Sequence, residues 1–231
     1  QLKREAEQNK HLDKMKLNLF TNISHELRTP IALIISPLNN MIKNETDGDK
    51  KNMLELIQRN ATRLLNMVNQ ILDFRKMDEN KQQLNLLTGD IVEFVRTICN
   101  TFNKLSGKDI TLTFYSSVGY LFTSFDDDKI TKVMNNLLSN AYKFTPIGGR
   151  IDVSMRVIFK NDVEGRKEDI LEMKVSDTGE GIADYEKKHV FDRFYQVHSE
   201  KRQTYGGSGI GLSLVKKFVD MHDGTVCVSD N

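Results

Sequence analysis

The sequence predicts two domains of different class: an all-α helical hairpin over residues 1–80, paired into a dimeric four-helix bundle, then an α+β sandwich domain over residues 81–231. Three observations carry this reading. The first 80 residues follow a helical apolar period with few glycine or proline interruptions. From about Gln83, short β-type runs alternate with helical patterns. The glycine-rich stretches of that second part fall between elements rather than within them.

In the first helix Phe20, Ile23, Leu27, Ile31, Ile34, Leu38 and Met41 recur at steps of three and four. In the second, Met53, Ile57, Ala61, Leu64, Val68 and Ile71 do the same, with Leu54, Leu65 and Leu72 widening the stripe. The polar stretch Asn44–Lys50 reads as the loop between them. A lone hairpin leaves a stripe this broad partly bare, and pairing with a second copy covers it.

The second domain offers β-type runs at Leu84–Thr88, Ile110–Tyr115, Tyr120–Phe125, Ile151–Phe159, Ile170–Ser176 and Thr225–Val228. Helical patterns occupy Asp90–Leu105, Asp126–Phe144 and Ile210–Met221. Strands near enough to pair as hairpins, mixed with helices, give an α+β layer with helices on one face.

Lysine and arginine total 33 against 32 acidic residues, which gives no support to nucleic acid as the main partner. No apolar run approaches the roughly 18–20 residues that span a bilayer, so no membrane contact is expected of this segment. Cys99 and Cys227 lie far apart without metal-ligand spacing and read as reduced thiols of a cytoplasmic protein. The chain opens without methionine on the charged stretch Gln1–Lys16, and it reads as a piece of a longer protein.

Among five histidines, His25 stands out by position. At 100° per residue it projects roughly 160° from the centre of the apolar stripe, so it faces solvent. Glu26 beside it can hold one imidazole tautomer and leave the other ring nitrogen nucleophilic. Thr29 lies about 40° around the same helix, where its hydroxyl can position a water. Pro30 removes the helical hydrogen bond to Glu26 and is expected to bend the helix there. By these features alone His25 is either a nucleophile or an ordinary exposed histidine.

The run Phe20-Thr21-Asn22-Ile23-Ser24-His25-Glu26-Leu27-Arg28-Thr29-Pro30 closely resembles the phosphoacceptor box of sensor histidine kinases. The resemblance implies that His25 is the phosphorylated residue, that Glu26 is its base, and that Thr29 helps remove phosphate from a partner response regulator.

No G-x-x-x-x-G-K-[ST] sequence is present, so a P-loop nucleotide fold is not expected. Gly207-Ser208-Gly209-Ile210-Gly211 opens a helical pattern, which suits either phosphate binding at a helix start or a plain turn. Asn136, Asn140 and Lys143 share one helical face, a set suited to a hydrated Mg2+ with phosphates. Asp177-Thr178-Gly179-Glu180-Gly181 follows a β-type run, where a carboxylate could read an exocyclic amine or merely close a turn. In Phe191-Asp192-Arg193-Phe194-Tyr195 the phenylalanines read as packing anchors. Arg193 there serves either transferring phosphoryl charge or a surface ion pair. The segment His198–Gly206 reads as a lid.

These four segments resemble, in order, the nucleotide boxes of the same kinases, and the likeness runs over residues 14 to 229. It implies an ATP-binding sandwich domain in which Asn140 holds Mg2+ with Asn136 nearby and Lys143 meets phosphate. Asp177 reads adenine with Gly179 and Gly181 beside it, and Gly207, Gly209 and Gly211 wrap the triphosphate. The implied protein is the cytoplasmic part of a membrane-anchored sensor kinase. It works as a homodimer, autophosphorylates His25, passes the phosphate to an aspartate of a response-regulator receiver domain, and also dephosphorylates that regulator. An ATP-driven clamp and a silent dimerisation module are the rival readings. Two departures stand out: Asp223-Gly224 replaces paired glycines, and the sequence stops at Asn231, where the family usually continues into a closing strand pair.

Overall fold

The structure is a computed structural model that describes residues 27–78, 83–105, 109–161, 167–197 and 209–230. It divides into two compact units, Gln1–Gln82 and Gln83–Asn231.

The first unit is a hairpin of α1 (27–44) and α2 (Gly48–Asp78). Ile31 and Val68 are buried against each other's surroundings, with Ile35, Ala61 and Leu65 packed around them. Arg28 donates from Nε and Nη2 to Asn69 Oδ1 at 3.1 and 2.7 Å. Gln58 donates to Asn39 from the other helix. The pairs 28 with 69 and 39 with 58 run in opposite senses, so the helices are antiparallel. The connection is shorter than the expected Asn44–Lys50 loop, because Asp47 Oδ1 accepts from the N–H groups of Asp49 and Lys50 and starts α2 at once. Only part of the predicted stripe is covered within the hairpin. Ile31 and Leu38 are buried, whereas Leu27, Ile34 and Met41, at the same spacing of seven, stay exposed alongside Met53, Ile57 and Leu64.

In the second unit β1 (Leu87–Asp90) pairs antiparallel with β3 (Phe122–Phe125). A separate three-stranded sheet has the order β2 (Thr111–Ser116), β4 (Arg150–Asn161), β5 (Lys167–Asp177). The β2–β4 pair is parallel and β4–β5 is antiparallel. Register places Ile151 beside Leu112, Val153 between Phe114 and Val175, and Met155 beside Met173, so one face is apolar at every second residue. That face packs with α3 (Ile91–Leu105) and α4 (Asp127–Phe144) into one core including Val92, Val95, Met134 and Leu138. α6 (Gly211–Met221) adds buried Leu214, Val215 and Phe218.

Capping explains where the long helices begin. Asp90 Oδ1 accepts from the Val92 N–H and also from Leu121 N–H, which ties the start of α3 to the approach of β3. Asp126 caps α4 by accepting from the Lys129 N–H.

Two local expectations change, and one short helix was not expected. β1 begins at Leu87 instead of Leu84, because its ladder with β3 pairs Leu87 with Phe125 and Asp90 with Phe122. Thr225–Val228 is not a strand, since β-type residues without a ladder partner among the described residues have no sheet to join. α5 (Asp184–Lys187), a single turn, carries too few residues to show a period in the sequence.

Candidate functional site

Two candidate segments of the second unit meet α4, Gly211 at Asn136 and Gly179 with Asp177 at Phe144. Asn136, Asn140 and Lys143 are all half-buried on that helix. Asn136 Nδ2 donates to the Lys132 carbonyl at 2.8 Å. Its Oδ1 lies against the first residue of α6: a Cβ added at Gly211 would come within 2.6 Å of it. The glycine at the helix start therefore lets α6 approach α4 at this level. Lys143 Nζ lies 4.7 Å from the centroid of the Phe144 ring, within cation–π range.

Phe144 ends α4, and its carbonyl meets the second glycine segment. A Cβ at Gly179 would fall 2.8 Å from Phe144 O and 2.6 Å from Asp177 Oδ1. Asp177, the last residue of β5, accepts from the Gly179 N–H at 2.8 Å, which fixes its carboxylate at the strand end. Thr178, not singled out in the sequence, anchors the loop. Its N–H donates to Arg150 O, and its hydroxyl accepts from the Arg150 N–H. The signal was its place inside a box already noticed for its neighbours. Thr145, the C-cap of α4, has a buried hydroxyl without a protein partner.

The third segment meets the glycine run before α6 through backbone contacts. Gly209 has φ +67, and its carbonyl accepts from the Phe194 N–H at 3.0 Å. A Cβ at Gly209 would fall 2.6 Å from the Phe194 backbone. Phe194 itself has φ +62, an uncommon conformation for a bulky residue, and its side chain is 61% exposed. The expectation that both phenylalanines anchor packing therefore fails for Phe194, whose backbone, not its ring, makes the contact with Gly209. Phe191 is half-buried and Arg193 is exposed. In the same segment His189 Nδ1 and Asp192 Oδ2 lie 2.8 Å apart, and the His189 ring tilts against Tyr195. Burial raises the Tyr195 phenol, and the neighbouring Glu186, Tyr185 and Asp192 raise it further.

Gly181 has φ +70 and is exposed. His25, Glu26, Gly207 and the expected lid, His198–Gly206, lie outside the described residues. Thr29 is exposed on α1. The bend expected at Pro30 comes from the hydrogen bond it removes at Glu26, which also lies outside them.

Among the described residues no group of three or more histidine, cysteine, aspartate or glutamate side chains could hold a metal ion. The donors on α4 are amide oxygens instead. Such a set leaves most of a Mg2+ shell to waters and phosphate oxygens, the usual way this ion binds beside a nucleotide. The residues present therefore fit an ion that arrives with its nucleotide. Nor is any helix among the described residues long and apolar enough to cross a membrane.

Comparison with known proteins separates the same two parts. Residues 15–80 match the His Kinase A (phospho-acceptor) domain, and residues 125–231 match the Histidine kinase-, DNA gyrase B-, and HSP90-like ATPase. Hybrid signal transduction histidine kinase D of Dictyostelium discoideum is 38% identical over 95% of this chain, which spans 14% of that relative. Sensor histidine kinase TmoS of Ectopseudomonas mendocina is 37% identical over 100% of this chain, which spans 23% of it. Full-length ShkA, solved in complex with AMPPNP, superposes with a TM-score of 0.69 at 22% identity. That likeness covers 93% of this chain and 43% of ShkA, and it speaks for the fold alone. With a phospho-acceptor helical region followed by an ATPase domain of this class, the chain belongs to the sensor histidine kinases of two-component systems.

Proposed function

We propose that the chain is an ATP-dependent protein-histidine kinase that phosphorylates its own His25 and hands the phosphate to an aspartate of a response-regulator receiver domain. The observation that carries this is the convergence on α4 of glycine segments distant in sequence. Gly211 approaches Asn136 on its side, and Gly179 with Asp177 approaches its end at Phe144. A helix flanked this way offers one carboxylate, amide oxygens and an ammonium beside glycine backbone, which is what adenine at one end and phosphates at the other require. The match of residues 125–231 to the Histidine kinase-, DNA gyrase B-, and HSP90-like ATPase supports ATP as the nucleotide.

In this reading Asp177 accepts from the adenine amine, while Gly179 and Gly181 let the loop close around the ring. Lys143 and the amides of Gly207, Gly209 and Gly211 bind the phosphates. Asn140, with Asn136 nearby, holds Mg2+, which neutralises phosphate charge when bound. Glu26 takes the imidazole proton as a ring nitrogen of His25 attacks the γ-phosphorus. The P–O bond to ADP breaks and a phosphoramidate forms. Arg193 stabilises charge on the moving phosphoryl group. Thr29 positions the water that dephosphorylates the regulator.

A second copy covers Leu27, Ile34, Met41, Met53, Ile57 and Leu64, residues of the apolar stripe that the hairpin leaves exposed. The segment belongs to the cytoplasmic side of a membrane-anchored sensor. Incubation with γ-labelled ATP and Mg2+ tests the central reaction: an acid-labile, alkali-stable label is expected on the wild type and absent from His25→Gln. Phosphate release without protein label would replace this reading with that of an ATP-driven clamp.

A further inference from the structure

α6 runs antiparallel to α4 and touches it at both of its own ends. At one end Gly211 meets Asn136, where no side-chain atom fits between them. At the other, the Asp126 N–H, just before α4, donates to His222 Nε2 at 3.3 Å, just after α6. From 126 to 136 is roughly 15 Å of helix, and from 211 to 222 roughly 16 Å, so the two contacts are in step. Apolar packing of Leu214, Val215 and Phe218 is non-directional and tolerates a helix sliding along its neighbour. A hydrogen bond does not.

His222 is itself held in place. Its Nδ1 lies 2.7 Å from the Phe218 carbonyl, one turn back on α6. A carbonyl can only accept, so Nδ1 carries the proton and Nε2 is left as the acceptor for Asp126. Both nitrogens are committed, one to each helix. The partner at Asp126 is also rigid, because its carboxylate accepts from the Lys129 N–H, from Lys129 Nζ and from the Asn85 N–H.

We infer that His222 is a positioning residue of the nucleotide site. By pinning the end of α6 to the cap of α4, it sets how far along α4 the glycines at the start of α6 stand, and so where their amides meet phosphate beside Asn136 and Asn140. The inference rests on the nucleotide reading above. It adds a residue far from the phosphates whose influence is carried by a stiff helix.

Two polar variants of the whole 231-residue chain separate this role from simple folding. In His222→Gln an amide oxygen can take the place of Nε2 and keep the bond from Asp126. In His222→Asn the shorter side chain reaches only the place of Nδ1 and keeps the Phe218 bond alone. Displacement of a fluorescent ATP analogue by ATP and, separately, by adenosine is measured for each with Mg2+ present. Losing one directional hydrogen bond should weaken ATP about fivefold in His222→Asn. Adenosine should be unaffected there, because it has no phosphates to misplace, and His222→Gln should stay within about twofold of wild type for both. Equal ATP affinity in the two variants, or parallel loss of ATP and adenosine binding, overturns the positioning role. Failure of the wild type to bind ATP instead removes the nucleotide reading beneath it.

Discussion

Gly211 stands against Asn136 so closely that a Cβ on the glycine would lie 2.6 Å from Asn136 Oδ1. The amide cannot easily turn away, since its Nδ2 is bonded to the Lys132 carbonyl at 2.8 Å. This contact joins two segments that the sequence keeps 75 residues apart (211 less 136), and it governs the first prediction.

Gly211→Ala sets two effects against each other. Alanine is a better helix residue by about 1 kcal/mol, while forcing a methyl into a full space costs about 1–3 kcal/mol. The collision should win, giving a net loss of about 1 kcal/mol in urea unfolding. ATP affinity should fall by more than that loss alone would give, because Asn136 is displaced. A variant more stable than wild type with unchanged ATP binding would disprove the close fit.

Asp126 supplies a pH dependence. Burial pushes its carboxyl up, but the hydrogen bond from Lys129 Nζ, the backbone N–H groups of Lys129 and Asn85, and the Lys129 charge together hold it below its ordinary value. A carboxyl lowered on folding contributes stability that is complete above its unfolded pKa of about 4. That contribution disappears as pH falls through the folded value. Asp126→Asn keeps the cap to the Lys129 N–H but removes the ion pair, which spans 2.6 Å with both side chains nearly buried. The expected cost is about 1–2 kcal/mol at pH 7. The gap between wild type and variant in urea titrations should narrow below pH 4. A gap that is constant with pH would contradict the ion-pair account.

What could be read in the sequence follows the reach of the forces involved. The helix α4 was legible from Asp126 to Phe144 because an acidic cap and an apolar period are local signals. The gathering of Asn136, Asp177 and Gly211 was inferred only through resemblance, since no local rule brings a strand end and a second helix to one place. The bond between Asp126 and His222 spans 96 residues and left no signal at all. β1 was misplaced for the same reason: its first residue is set by Phe125 across the ladder. Phe194 misled because phenylalanine usually signals packing, whereas here the fold uses its backbone N–H and a positive φ.

The two cysteines should differ sharply in reactivity. Cys99 is 1% exposed in the core, and burial pushes its thiol up to about 11, against a smaller lowering by its backbone hydrogen bond. Almost none of it is thiolate at pH 8, and reagents cannot reach it. Cys227 is exposed. Iodoacetamide at pH 8, followed by mass spectrometry, should modify Cys227 quickly and Cys99 only after urea unfolding. Rapid double labelling of the native protein would contradict the core placement of α3.

Asp223 is the remaining test, and it bears on the turn where the family usually has paired glycines. It follows α6 with φ +56, the left-handed conformation that costs a side-chain-bearing residue energy and a glycine almost none. Gly224 completes the turn by donating its N–H to Val219 O at 3.0 Å, and a Cβ there would sit 2.9 Å from Val219 Cγ1. Glycine is thus needed at 224 for space, whereas at 223 it would only relieve backbone strain. Aspartate tolerates this conformation better than most residues, so the relief in Asp223→Gly is modest. It should raise stability by about 0.5–1 kcal/mol, after the extra freedom glycine gives the unfolded chain is subtracted. Gly224→Ala should lower stability by about 1–3 kcal/mol through the Val219 contact. Urea midpoints that move in the same direction for both variants would show that the turn is held by something other than these two backbone demands.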